Sequence, residues 1–448
     1  MDADSSLVFL LKALKGSIPK LAVHAVGARV VEMVFGNFSA KSTAALKQEF
    51  YGPHFSLFGA GDTSDGSRQH TLVSNLKSQP DKKEVTLEFV LNILKKGLDK
   101  GLYGFSYFQE LFAEYVEVAS PKDIRSIGSS VVDHSIHMLS TRPGTCVVAA
   151  CASYGTAKDR KRIMKSLKGY TRSSLLHRDA YLAILRLVQV TDDTVSVHKS
   201  ILAEITTTAR QTDDAKEDEN DKSSLLELAL NENAAKLFLI LLVSEEKCQQ
   251  KYLDPFECTV LKPNPTITEG GQEVPTSKKN PETRRKELVL YLQKPLIQMC
   301  VEHAAELIKS LPGARVLKEV YAAYRPQNLV EAVLDACKES LEQDSGAIFE
   351  DRVGHHSLKN MILCDTAENR SQSEAAFATA FFQRFQKSLD AIGSSNRGAF
   401  VLTALFKVDS IRSSVHGEIK KVKKSLQRRK KDESKTTAGF DALLKELN

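Results

Sequence analysis

The feature that most limits how this chain can fold is a short pattern that returns along its whole length. A polar or small residue opens it, a glycine or alanine follows, and a short apolar helix comes next. It reads His24-Ala-Val-Gly-Ala-Arg-Val-Val-Glu32, then Thr141-Arg-Pro-Gly-Thr-Cys-Val-Val148, and more weakly Leu176-His-Arg-Asp-Ala-Tyr-Leu-Ala-Ile184. Asn231-Glu-Asn-Ala-Ala-Lys-Leu-Phe238, Leu311-Pro-Gly-Ala-Arg-Val-Leu317, Val353-Gly-His-His-Ser-Leu-Lys359 and Asn396-Arg-Gly-Ala-Phe-Val-Leu402 continue it. With Gly144, Asp179, Gly313, His356 and Gly398 as phase markers, neighbouring intervals are 35, 43 and 42 residues. Helical solenoid units run about 33–47 residues. One helical pair cannot bury its apolar face alone, so neighbours must stack to complete a core. Leu7, Leu10, Leu11 and Leu14 also share one helical face. No Asn-Gly hairpin and no evenly spaced alternating strands occur. The expected class is all-α, an α-solenoid.

Two segments break the pattern. Asp213-Asp-Ala-Lys-Glu-Asp-Glu-Asn-Asp221 reads as a solvated acidic loop. Residues 254–281 hold five prolines and Gly270-Gly271, which reads as a long connection. The expected organisation is therefore repeats over 1–253, a connection over 254–281, and a second repeat region over 282–448. A smaller loop, Gly59–Gly66, follows the first copy.

Composition serves to exclude. Seven cysteines form no CxxC pair, so a disulfide framework or structural zinc site is not expected, and a reducing compartment fits. The longest apolar run, Leu237 to Val243, is far short of the about 20 residues a membrane span needs. Lys12 interrupts the first apolar stretch, which argues against a signal peptide. No GxSxG, HExxH, Walker A or Rossmann GxGxxG pattern occurs, so neither an enzyme nor a cofactor is expected. His134 and His137 lie three apart with no third metal ligand nearby. The net charge is only +6 from 62 Lys+Arg and 56 Asp+Glu, so the placement of charge matters more than its sum.

His24-Ala-Val-Gly-Ala-Arg-Val-Val-Glu32 resembles the second helix of a Puf (pumilio-like) repeat. Phe50-Tyr-Gly-Pro-His54 and Gly155-Thr-Ala-Lys-Asp-Arg-Lys161 are similar to the divergent, nucleolar Puf-A branch. Ser277-Lys-Lys-Asn-Pro-Glu-Thr-Arg-Arg-Lys-Glu-Leu288 resembles the opening of its C-terminal CPL region, and Ser395-Asn-Arg-Gly-Ala399 its final repeat. The resemblance covers nearly the whole chain and implies a right-handed α-solenoid of Puf-like repeats. Because the family carries a basic N-terminal extension and earlier repeats, it implies that this chain opens inside the array, with its first repeat uncapped. It also implies a protein of the nucleus and nucleolus. The partners would be pre-ribosomal RNA, mRNA and pre-ribosomal proteins. The work would be ribosomal RNA processing, large-subunit biogenesis and translational regulation.

Puf repeats read single-stranded RNA with two or three side chains on one helix. Ala28, Arg29 and Glu32 occupy those positions in the first copy, Arg29 to stack and Glu32 to accept from a base edge. Elsewhere the pattern decays: Thr145, Cys146 and Val148-Ala149 stand in one copy, and Ala314 with Arg315 lacks a following acceptor. Little base discrimination is expected. Basic clusters are the stronger feature. Lys158, Arg160, Lys161, Arg162, Lys165, Lys168 and Arg172 fall within fifteen residues, offset locally only by Asp159. Lys420, Lys421, Lys423, Lys424, Arg428 and Arg429 fall in the eight-charge stretch Lys420–Lys431. Such charges suit phosphates, nuclear targeting or both, and structured or double-stranded nucleic acid would serve as well as single strands. Lys278, Lys279, Arg284, Arg285 and Lys286 form a third, more diluted cluster. The competing reading is an armadillo- or HEAT-like scaffold that holds peptides in a groove, with incidental nucleic-acid binding.

Overall fold

The computed structural model describes residues 3–58, 71–206, 224–342, 348–366, 377–432 and 437–447. The acidic run at 213–221 and the loop at 59–66 lie outside the described residues. Among the described residues the chain is helical apart from one two-stranded hairpin. It divides into two compact units, residues 1–204 with 254–284, and residues 205–253 with 285–448.

In the first unit four helices pack in succession: α1 (Gly27–Asn37), α2 (Ser106–Val118), α3 (Arg142–Tyr154) and α4 (Tyr181–Val190). In the second unit five do so: α5 (Ala235–Leu242), α6 (Leu311–Tyr324), α7 (Gly354–Leu363), α8 (Asn396–Leu405) and α9 (Ala438–Glu446). A helix between two neighbours must be apolar on more than one side. All eight residues of α5 are buried, and so are Tyr181 to Val188 in α4. Each fully buried Leu, Ile, Val or Phe contributes about 1.5–3 kcal/mol, so these stacked helices carry the core.

The recurring sequence pattern has one physical cause. In all seven copies a side-chain acceptor caps the backbone N–H three residues further on. Thr141 Oγ1 accepts from Gly144 N at 3.1 Å, Ser310 Oγ from Gly313 N at 3.4 Å and Ser395 Oγ from Gly398 N at 3.1 Å. Asn231 Oδ1 takes Ala234 N at 3.0 Å, and Asp351 Oδ1 takes Gly354 N at 2.6 Å. Histidine does the same work twice, His24 Nδ1 on Gly27 N at 3.1 Å and His177 Nδ1 on Ala180 N at 3.2 Å. Each acceptor satisfies a donor that the first turn leaves orphaned. Glycine follows because the chain doubles back tightly. A Cβ at Gly144 or Gly398 would collide with the carbonyl oxygen of the residue six positions earlier, Met138 or Ile392.

The segment expected as a connection is instead built into the first unit. It holds a helix, Pro255–Val260, and the hairpin of β1 (Thr266–Glu269) and β2 (Gln272–Pro275), antiparallel with Thr266 opposite Pro275. Gly270 and Gly271 make the turn at φ +59° and +81°, a region that L side chains rarely adopt. Gly-Gly was thus the hairpin signal in a sequence without Asn-Gly. Buried Glu257 accepts from Tyr181 Oη, and Asp192 accepts from Lys278 N at 2.7 Å and Lys279 N at 3.2 Å. These bonds tie residues 254–284 to α4 and the loop after it, so at residue 254 the chain returns to the first unit, and it leaves that unit again after residue 284.

Candidate nucleic-acid interface

The base-reading positions lie four, five and eight residues after each cap. In the first unit most of them are buried or bonded within the fold. Both Glu32 carboxylate oxygens are taken, Oε1 by Ser106 N at 3.0 Å and Oε2 by Tyr107 N at 3.3 Å. Glu32 therefore caps α2 from the preceding helix instead of facing a base edge. Arg29 is exposed on α1, but its neighbour Ala28 is buried. On α3 Thr145 is buried and donates to Thr141 O, and Ala149 is buried too. On α4 the three positions are Tyr181, Leu182 and Leu185, all core residues.

The first basic cluster sits on the helix Ala157–Ser166 and the turn and short helix after it. A capping box between Thr156 and Asp159 starts the helix. Arg160 corrects the expectation of a phosphate contact: it is only 2% exposed. Its Nε donates to Ala152 O at 2.8 Å, one terminal nitrogen to Thr276 O at 3.1 Å, the other to Thr276 Oγ1 at 3.1 Å and Ser153 O at 3.3 Å. Burial pushes its guanidinium pKa down to about 10, still cationic at neutral pH. It brackets the end of α3 to the strand end at Thr276. Two neighbours are neutralised in place. Arg162 holds Asp133 through two bonds of 2.9 and 2.6 Å, and Lys161 Nζ lies 2.8 Å from Asp193. The hydrogen bond from Lys161, with those from Ser196, holds the Asp193 carboxyl well below the usual range, and that from Arg162 lowers Asp133. Lys158, Lys165, Lys168 and Arg172 are exposed, and the first three make no hydrogen bond or ion pair among the described residues.

The second cluster lies on a long helix, Arg412–Asp432. Val415, Ile419 and Leu426 bury one side of it. Lys421 pairs with Glu418 at 2.8 Å, Arg429 with Asp390 at 2.9 Å, and Lys430 with Asp441. Lys423 is half-buried. Lys420, Lys424 and Arg428 are exposed and unpaired among the described residues. They are spaced four apart, so they follow one face at about 6 Å per step.

Of the third cluster, Arg284 is buried and bonded to Asp192 and Lys279 O, and Arg285 donates to Leu241 O at 2.7 Å. Arg315 stands elsewhere, on the wall of a cleft of about 950 Å³ in the second unit with Lys251, Lys318, Arg352 and His356. Sequence reasoning named Arg315 and Ala314 but not the cleft, because its cations come from three separate segments. Among the described residues, no group of three or more His, Cys, Asp or Glu could hold a metal ion, and no helix is long and apolar enough to cross a membrane.

Comparison with known proteins fits this geometry. Residues 230–374 match the CPL (NUC119) domain. The human protein named Pumilio homolog 3 is 24% identical over 98% of this chain, which spans 64% of that relative's length. The crystal structure of human Puf-A superposes with a TM-score of 0.78 at 23% identity, covering 99% of this chain and 81% of that one. The same protein in complex with DNA gives 0.76 at 22% identity, covering 98% and 80%. A Puf4 RNA binding domain bound to an RNA 3′ UTR recognition sequence gives 0.51 at 10% identity, covering 86% and 100%. The fold is that of a pumilio-like helical-repeat solenoid. More narrowly, the chain is similar to Puf-A over nearly its whole length, and residues 230–374 match the CPL domain.

Proposed function

We propose that this protein binds RNA by its phosphate backbone, largely without reading sequence, and assists ribosomal RNA processing and large-subunit biogenesis in the nucleolus. The observation that carries the reading is the unpaired stripe Lys420, Lys424 and Arg428, set beside reading positions in the first unit that are mostly buried or, at Glu32, spent on a helix cap. Point charges at helical spacing engage phosphates and carry no sequence information. Lys158, Lys165 and Lys168 extend the same chemistry to the first unit. The DNA complex of human Puf-A and the RNA complex of Puf4 support a nucleic-acid ligand for this fold. Regulation of mRNA translation would use the same contact.

The test is a titration of the full chain against single- and double-stranded RNA at several salt concentrations. Counterion release gives a slope of about −0.7 per phosphate for single strands. Scrambling the RNA should change affinity by less than the roughly 1–3 kcal/mol of one specific base contact. A selected motif of several bases would refute the sequence independence. Imaging a tagged chain lacking 420–431 tests the address, and an unchanged nucleolar signal would remove this segment from it.

A further inference from the structure

The cleft in the second unit joins cations to an exposed aliphatic surface, and it is the aliphatic part that a phosphate backbone does not explain. Four cations line it, Lys251, Arg315, Lys318 and Arg352, with His356, and no Asp or Glu does. Arg315, Arg352 and Lys251 make no hydrogen bond or ion pair among the described residues. Lys318 is held at the wall by Glu319, 2.6 Å away and 2% exposed. Burial alone would raise the Glu319 carboxyl. Hydrogen bonds from Lys247, Lys318 and Tyr252 outweigh it and hold the carboxyl below its usual range. The cationic wall is therefore anchored from beneath, while its rim is free.

The remaining lining is aliphatic. Leu311 is 48% exposed, unusual for a leucine opening a stacked helix, and Ala314, Val353 and Leu363 continue the surface. A nucleic acid gains from aromatic platforms on which bases stack. Tyr252 is the one Phe, Tyr or Trp among the lining residues, and its hydroxyl is tied to Glu319. A basic rim over an aliphatic surface complements a peptide in which acidic residues flank a leucine. The volume of about 950 Å³ suits a short segment. We propose that this cleft is a docking site for an acidic, leucine-containing peptide of a partner protein. The cations would steer it and the aliphatic surface would seat its side chain.

Fluorescence anisotropy of the full chain tests this with a labelled octapeptide carrying two central leucines between acidic triplets. A leucine-to-serine version and a uridine homopolymer run in parallel. The acidic leucine peptide should bind, and Arg315→Gln with Arg352→Gln should weaken it by about tenfold or more. Leu311→Ser, and serine in the peptide, should each weaken it while circular dichroism stays helical. Homopolymer affinity should change no more than about threefold. Equal peptide binding by parent and double variant would overturn the proposal. So would a serine peptide that binds as well as the leucine one while homopolymer affinity falls in step, since the cleft would then be a phosphate site.

Discussion

The helices Ala157–Ser166 and Arg412–Asp432 look alike in sequence and differ in what their charges do. In the first, the sequence-dense cations are consumed from the middle outward: Arg160 in the core, Lys161 on Asp193, Arg162 on Asp133. In the second, the pairs to Glu418, Asp390 and Asp441 leave a regular unpaired row, Lys420, Lys424 and Arg428. Charge density along a sequence does not decide availability. The decision lies with carboxylates and carbonyls that other segments bring to the helix, and those are non-local.

The largest test of this difference is stability. Arg160→Met removes donors from three backbone carbonyls, two of them in the last turn of α3. Leaving such groups without partners should cost about 2–4 kcal/mol in urea unfolding. Arg428→Met, on an exposed site, should change stability by less than about 0.5 kcal/mol. If Arg160→Met were as mild as Arg428→Met, the two helices would not differ in the way described.

Binding should show the reverse. Replacing Lys420, Lys424 and Arg428 by Gln should weaken single-stranded RNA by about tenfold at physiological salt and flatten the salt slope by about two. Gln at Lys161 and Arg162 should leave affinity and slope nearly unchanged. A slope that responds equally to both sets would erase the distinction.

How much could be read in advance follows from where the caps come from. Seven stacked helices were visible because each carries its own cap, Ser, Thr, Asn, Asp or His three residues before a Gly or Ala. Two were not. α2 begins Ser106-Tyr-Phe-Gln with no cap of its own, because Glu32 of α1 supplies it. α9 takes Asn396 Oδ1 of α8 on Gly439 N at 2.6 Å. A cap lent across a repeat leaves no local signature. The same loan removed Glu32 from base reading. Arg160 was misassigned for a related reason: its acceptors include Thr276, 116 residues away. The cleft cations, from separate segments, are invisible to a scan for runs.

The histidine caps sharpen the contrast between the units, since the second unit uses Asn231, Ser310, Asp351 and Ser395 and the first uses His24, Thr141 and His177. If acceptor geometry alone matters, His177→Asn should leave stability within about 0.3 kcal/mol, while His177→Ala loses about 1 kcal/mol. Chemical denaturation of both variants checks this. A costly His177→Asn would mean that the imidazole contributes packing beyond its cap.

The smallest effect would be a gain. If Lys161 and Arg162 are silent because carboxylates hold them, then Asp193→Asn with Asp133→Asn should free Lys161 and loosen Arg162, which keeps Asp159 at 3.4 Å and Ser129 O at 3.0 Å. Asparagine at 193 keeps an acceptor for the Ser196 N–H, bonded at 3.0 Å, so the local helix start survives. Single-stranded RNA affinity should rise about threefold, and the salt slope should steepen by up to about 1.4. The stability change should be small, because exposed ion pairs contribute about 0–1 kcal/mol. Its pH dependence has a fixed sign. Both carboxyls are lowered by the cations that hold them, so the pairs contribute fully above the ordinary carboxylate pKa of about 3.9 and are lost as pH falls through the lower folded values. Parent and variant should thus differ at neutral pH and converge in acid. Unchanged RNA affinity in a folded variant would place this helix off the RNA path and leave Lys420, Lys424 and Arg428 as the main phosphate contact.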